Sequence, residues 1–121
     1  MSGQNSYKRG KIGEELACEH LKKLGHQIIA RNFRAEGGEI DIISIFENTV
    51  FFSEVKARKD GSMIPIEESI TMDKRVRMQR AAQAFLSQNF NENTNVNYLF
   101  ILLTLSNSDR IKKINVFSDF L

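Results

Sequence analysis

Residues 39–58 read EIDIISIFENTVFFSEVKAR, and the fold depends on how the two halves of this stretch pair. Residues 39–46 (EIDIISIF) and 49–57 (TVFFSEVKA) are rich in β-branched and aromatic side chains and are split by Glu47-Asn48, the pattern of an antiparallel hairpin. Folded about that tip, Asp41 faces Glu54 and Glu39 faces Lys56. Strand side chains alternate between faces, so Glu54 and Lys56 share one side of the sheet. One patch therefore collects Asp41, Glu54 and Lys56, with Glu39 beside them. Glu-Asn is an uncommon pair for the tight type I′ turn that suits this register.

Directly opposed carboxylates repel each other and weaken a sheet, so they call for a compensating charge. A divalent cation is one answer, because magnesium takes one or two carboxylates, waters and substrate phosphate oxygens. Lys56 would then orient the attacking water, since phosphodiester hydrolysis needs a deprotonated water and stabilised phosphoryl oxygens. The spacing also allows, and by itself favours, a solvated edge or neutralisation of the pair by Lys56 and Arg58 without metal. An exposed salt bridge from Lys56 to Glu39 would contribute little.

On the N-terminal side, residues 27–34 (QIIARNFR) predict a further strand, followed by a turn at Gly37-Gly38. Before it, Gly13, Leu16, Ala17, His20, Leu21 and Leu24 recur at helical spacing, and Gly25 supplies a stop. Residues 1–9 are polar and unpatterned, which predicts a flexible arm. On the C-terminal side, Asp60-Gly61-Ser62 opens a loop in which Pro65 starts a helical turn. Met78, Ala81, Ala82, Phe85 and Leu86 predict a helix over 71–88, and residues 89–97 an asparagine-rich loop. Residues 98–105 (YLFILLTL) are almost wholly apolar, as in a strand covered on both faces, and 111–117 predict a last, more exposed strand. The order is αβββαββ. It predicts one α/β domain over residues 10–121, a mixed sheet flanked by helices.

A chain of 121 residues is one domain's worth, and 41% hydrophobic with 26% charged residues is ordinary globular usage. The longest apolar stretch is far short of the ~20 residues that span a bilayer, and the N-terminus lacks the apolar core of a secretory signal. No membrane partner is expected. The lone Cys18 cannot form an internal disulfide, which fits a reducing, cytoplasmic setting. A net charge of +2 is too mild to imply a nucleic-acid partner by itself. Its distribution says more, because Lys56, Arg58, Lys59, Lys74, Arg75, Arg77 and Arg80 crowd the middle of the chain. They make either a phosphate-binding face or the solvated surface of a helix. No phosphate loop, nucleophile elbow or closed zinc site is spelled out, which argues against a P-loop nucleotidase, acyl transfer and structural zinc.

The segments GKIGEELACEHLKKLG, ARNFRAEGGEIDIIS, FFSEVKAR and DKRVRMQRAAQAFL resemble, in order and spacing, the YraN-like family of small bacterial proteins. That family is similar to a distant branch of the PD-(D/E)XK nucleases, near the archaeal Holliday junction resolvases. The resemblance implies that Asp41 and Glu54 are metal ligands, joined by the backbone carbonyl of Val55, and that Lys56 is the catalytic lysine. It also implies that Glu14 completes the acidic site. Helix position alone makes Glu14 only an N-terminal glutamate favoured by the dipole. Further implications are a restriction-endonuclease-like fold, Mg2+ or Mn2+ as cofactor, and cleavage of DNA or RNA. His20 and His26 stand where the family often has aromatics, Ser53 where valine is usual, and Ala57 where threonine often follows the lysine.

The expected protein is a metal-dependent endonuclease selective for branched nucleic acid, DNA ahead of RNA. Symmetrical cutting of a four-way junction would call for a two-fold homodimer. Two other functions fit the same residues: a nucleic-acid-binding module that does not cut, and a protein-interaction adaptor whose acids are surface charge.

Overall fold

The apolar run near residue 100 becomes a strand with a neighbour on either side. The computed structural model describes residues 2–62, 70–91 and 93–118, with side chains from residue 7 onward. Its elements are α1 (Ser2–Lys23), β1 (Gln27–Ala35), β2 (Gly38–Phe46), β3 (Thr49–Lys59), α2 (Met72–Asn89), β4 (Asn95–Leu105) and β5 (Ile111–Ser118). This is the αβββαββ order expected from the periodicity. The strands form one sheet in the order β1-β2-β3-β4-β5. All neighbours are antiparallel except β3 and β4, a parallel pair whose crossover carries α2. Every residue from Leu99 to Leu105 is buried. Among the described residues, no helix is long and apolar enough to cross a membrane.

The β2–β3 register is the one the sequence predicts, with Phe46 opposite Thr49 and Ile42 opposite Ser53. Its tip closes with Glu47 and Asn48 both left-handed, at φ 49° and 61°, which is the type I′ shape despite the unfavourable glutamate. The β1–β2 turn differs from expectation. Ala35 pairs with Gly38, so Glu36 and Gly37 are the turn, and Gly38 is already in the strand. Pro65 and the helical turn expected there lie outside the described residues.

Helix α1 packs on one face. Ala17, Cys18 and Leu21 meet Ile42 of β2, Ala57 of β3, and Leu99, Ile101, Leu103 and Leu105 of β4. Leu24, expected on the same stripe, is 55% exposed, because the buried line runs through Cys18 instead. The helix ends in a Schellman motif: Gly25 at φ 104° donates its N–H to the Lys22 carbonyl, and His26 donates to that of Leu21. Residues 2–9, expected as an arm, are helical. Once the packed turns nucleate a helix, adding polar residues without Pro costs little. Lys11 Nζ also lies 5.6 Å from the centre of the Tyr7 ring one turn earlier.

Helix α2 packs on the other face. Met78, Ala81, Ala82 and Phe85 meet Ile40, Ile43, Val50 and Phe52. Thr71 caps it by accepting the Lys74 N–H at 3.1 Å. Phe52 lies edge-on to Phe85 and stacks with Tyr98, and burying one such ring contributes about 1.5–3 kcal/mol. His26 does an aromatic's work: it stacks on Phe46 at 4.9 Å and meets Phe51 edge-on at 4.7 Å. Its Nδ1 is 2.9 Å from Ser44 Oγ, and burial lowers its pKa.

Gly13 sets how near α1 can lie to the sheet, because a Cβ added there would stand 2.7 Å from the Ala57 Cβ, while one on Gly10 meets nothing within 4 Å. Gly13→Ala is therefore expected to lose about 1–3 kcal/mol in urea unfolding. In the same helix, Gly10→Ala should be neutral or stabilising by up to about 1 kcal/mol.

Candidate functional site

The β2–β3 ladder ends at Ile42–Ser53, yet β2 runs on beside β1 to Gly38 and β3 runs on beside β4 to Lys59. The two middle strands therefore part just where Asp41 and Glu54 stand. Asp41 is passed over by the β1 ladder as well: Ile40 pairs with Phe33 and Ile42 with Arg31. Between those two partners lies Asn32, left-handed at φ 52°. Strand alternation slips once here, because Ile40 and Ile43 both pack toward α2 while Ile42 packs toward α1. The expected direct opposition of Asp41 and Glu54 is thus replaced by two acids at the mouth of a fork.

Asp41 stitches the fork. Its Oδ2 accepts the Val55 N–H at 2.7 Å, supplying the acceptor that the parted ladder no longer offers. In extended backbone a residue's N–H and C=O leave on the same edge, so the Val55 carbonyl faces this gap too. Burial, then the charge of Glu54, push the Asp41 carboxyl up to about 7, against the pull of the Val55 amide. Burial also raises Glu54, partly offset by Lys74, whose Nζ lies 3.3 Å from Glu54 Oε1.

Glu14 comes from α1 on the opposite face. Burial raises its pKa, and its Oε1 is buried without a hydrogen-bond partner among the described residues. Its charge adds to the upward shift of both Asp41 and Glu54. Among the described residues, no group of three or more His, Cys, Asp or Glu is placed to hold an ion together. What the fork offers a hard cation is two carboxylates, the Val55 carbonyl and, further off, the orphaned oxygen of Glu14. That set fits magnesium or manganese, which accept few carboxylates and keep several waters.

The fork opens into a cleft of about 510 Å3 lined by Glu39, Asp41 and Glu54 and by the cations Arg34, Lys74 and Arg77. Helix α2 reaches this cleft because Gly38 has no side chain: a Cβ there would run into the Arg77 carbonyl oxygen. Lys56 is exposed and is not among the cleft's lining residues. Glu39 does not face Lys56. It pairs with Arg34, whose Nε lies 3.6 Å from Glu39 Oε1.

The expected basic group divides. Lys74 and Arg77 line the cleft, Lys59 lines a separate small groove with Lys8 and Arg9, and Arg80 is exposed outside both. Arg58 is half-buried, and Arg75 buries its Nε without a hydrogen-bond partner among the described residues. Arg34 was missed by sequence reasoning. Reading Glu36-Gly37 as the two-residue turn would have paired Arg34 with Glu39 and found it.

A family model described as "Uncharacterised protein family UPF0102" matches residues 13–114. The chain belongs to the UPF0102 family. The match begins at Gly13, where α1 touches the sheet, and spans the whole fork. A UPF0102 protein of Caldicellulosiruptor saccharolyticus is 43% identical over 84 residues, covering 69% of this chain and 71% of the relative. Those of Chloroherpeton thalassium and Alkaliphilus oremlandii are 36% and 35% identical over 101 and 108 residues. These alignments cover 84% and 89% of this chain and 78% and 92% of the relatives. The resemblance to YraN-like proteins read from the motifs is therefore one of family membership in UPF0102.

The raised Asp41 carboxyl has a consequence for stability. Between about pH 4 and pH 7 the folded chain keeps a proton that the unfolded chain has released. Stability in the absence of divalent ions should therefore fall as pH rises through that window and level off above it. Asp41→Asn, which keeps an acceptor for Val55, is expected to flatten this slope and to stabilise the ion-free protein at pH 8 by about 1–3 kcal/mol in urea unfolding.

Proposed function

We propose that the fork is the active site of a divalent-cation-dependent nuclease that hydrolyses phosphodiester bonds in nucleic acid, DNA ahead of RNA. The observation that carries this reading is the juxtaposition of two acids, costly to ionise together, with three cations in one cleft. Lys74 offsets only part of that cost, since both acids stay raised, and a bound cation would offset the rest.

Asp41, Glu54 and the Val55 carbonyl would hold Mg2+ or Mn2+, with Glu14 reaching it directly or through water. When bound, such an ion supplies Lewis acidity toward water and phosphoryl oxygen. The chain's own residues do the rest. Arg34, Lys74 and Arg77 bind the phosphates and fix the strand's position, since cationic contacts to phosphate position without reading sequence. Lys56, two residues after Glu54 on the same strand face, orients the attacking water. One P–O bond forms to that water and one ester P–O bond breaks, leaving a phosphate end and a hydroxyl end. Branched DNA is the favoured substrate class.

The Lys74–Glu54 ion pair and the place of Lys56 outside the cleft favour a second reading, a nucleic-acid-binding module that does not cut. Gel assays with branched DNA, duplex DNA and RNA, with and without Mn2+, separate the two. The nuclease reading expects Mn2+-dependent cleavage that falls at least about 100-fold in Asp41→Asn and in Glu54→Gln, with the fold intact. Cleavage at the parent level in either variant would refute the site, and binding without cleavage in the parent would establish the second reading.

A further inference from the structure

We propose that Lys74 is a resident counter-ion of the acidic fork: it holds Glu54 while no divalent cation is bound and moves to a substrate phosphate when one enters, so that cation and phosphate load together. This rests on the cation reading above and concerns how that site is regulated.

The geometry makes the two cations rivals. Lys74 Nζ stands 3.3 Å from Glu54 Oε1, and the Glu54 side chain is only 19% exposed. A magnesium ion bound to that carboxylate sits about 2.1 Å from its oxygen. Both charges would then share one half-buried carboxylate within about 5 Å, and such repulsion is strong where water screens poorly. One must leave. The backbone of Lys74 is held in the first turn of α2 by the Thr71 cap. What can move is its side chain, 41% exposed, on a flexible four-carbon stem.

The cleft also provides a destination. Arg77 is one helical turn beyond Lys74, and Arg34 approaches from the β1–β2 hairpin. A phosphate seated between these cations offers the displaced ammonium a new anion. Without phosphate, Lys74 opposes the cation. With phosphate present, it no longer does, and the two ligands favour each other's binding. Thermodynamic linkage makes this coupling reciprocal.

The test is calorimetric titration of Mn2+ into the full chain, alone and with a short DNA duplex carrying hydrolysis-resistant linkages. Lys74→Gln is expected to bind Mn2+ alone roughly 5- to 20-fold more tightly than the parent, within the usual span of such couplings. The duplex should tighten Mn2+ binding in the parent and do so much less in Lys74→Gln. Lys74→Arg, which keeps the charge, should follow the parent. Equal or weaker Mn2+ binding by Lys74→Gln, with binding lost in Glu54→Gln, would overturn the role of Lys74 and leave the cation site standing. Absence of Mn2+ binding in parent and variants alike, with or without duplex, would overturn both.

Discussion

The hydrogen bond from the Val55 amide to the Asp41 carboxylate stands where the β2–β3 ladder gives out, and the remaining features of the site are arranged around it. A sheet that kept pairing there would place backbone where the cleft now opens. A sheet that parted without this bond would leave an amide unsatisfied, at about 1–3 kcal/mol. Asp41 closes that account with one oxygen and leaves the other for the cleft. Asn32 on the neighbouring strand, left-handed and across from Asp41, absorbs the slip in alternation that the parting requires. Asparagine is among the few residues that tolerate that conformation.

Two close approaches bring the helices to the fork from opposite faces. Gly13 lets α1 lie against Ala57, which brings Glu14 toward the acids. Gly38 lets α2 lie against the start of β2, which brings Lys74 and Arg77 into the cleft. The electrostatics then follow from burial. Three carboxyl groups are raised by loss of water, which outweighs the pull of Lys74 on Glu54, of Lys11 and Arg31 on Glu14, and of the Val55 amide on Asp41. An arrangement so unbalanced is poor design for stability and well suited to holding positive charge.

Two of the residues at which this chain departs from the pattern its motifs resemble, His26 and Ala57, are absorbed by packing. His26 takes an aromatic's place between Phe46 and Phe51, because a neutral imidazole stacks as a ring does and Ser44 meets its nitrogen. Ala57 is small enough for the glycine contact of α1. Ser53 is different. It is fully buried, and its hydroxyl has no hydrogen-bond partner among the described residues.

Elements whose signal is local were legible in the chain itself. Hydrophobic period located both helices and all five strands, an unbroken apolar run marked the doubly covered β4, and the spacing about Glu47-Asn48 set the hairpin register. Each depends only on neighbours in sequence, where 3.6- and 2-residue periods decide which face is wet. Asp41 and Glu54 could be brought together for the same reason, whereas Glu14 joined them only through the family resemblance. The meeting of Arg34, Lys74 and Arg77 in one cleft could not be read that way, nor could the parting of β2 from β3 or the exclusion of Lys56 from the lining. Those depend on where strands stop pairing and how near helices come, set by contacts between residues far apart in the chain. Sequence determined which groups are present and on which strand. Tertiary packing decided which of them share the same poorly solvated space, and with it their charge.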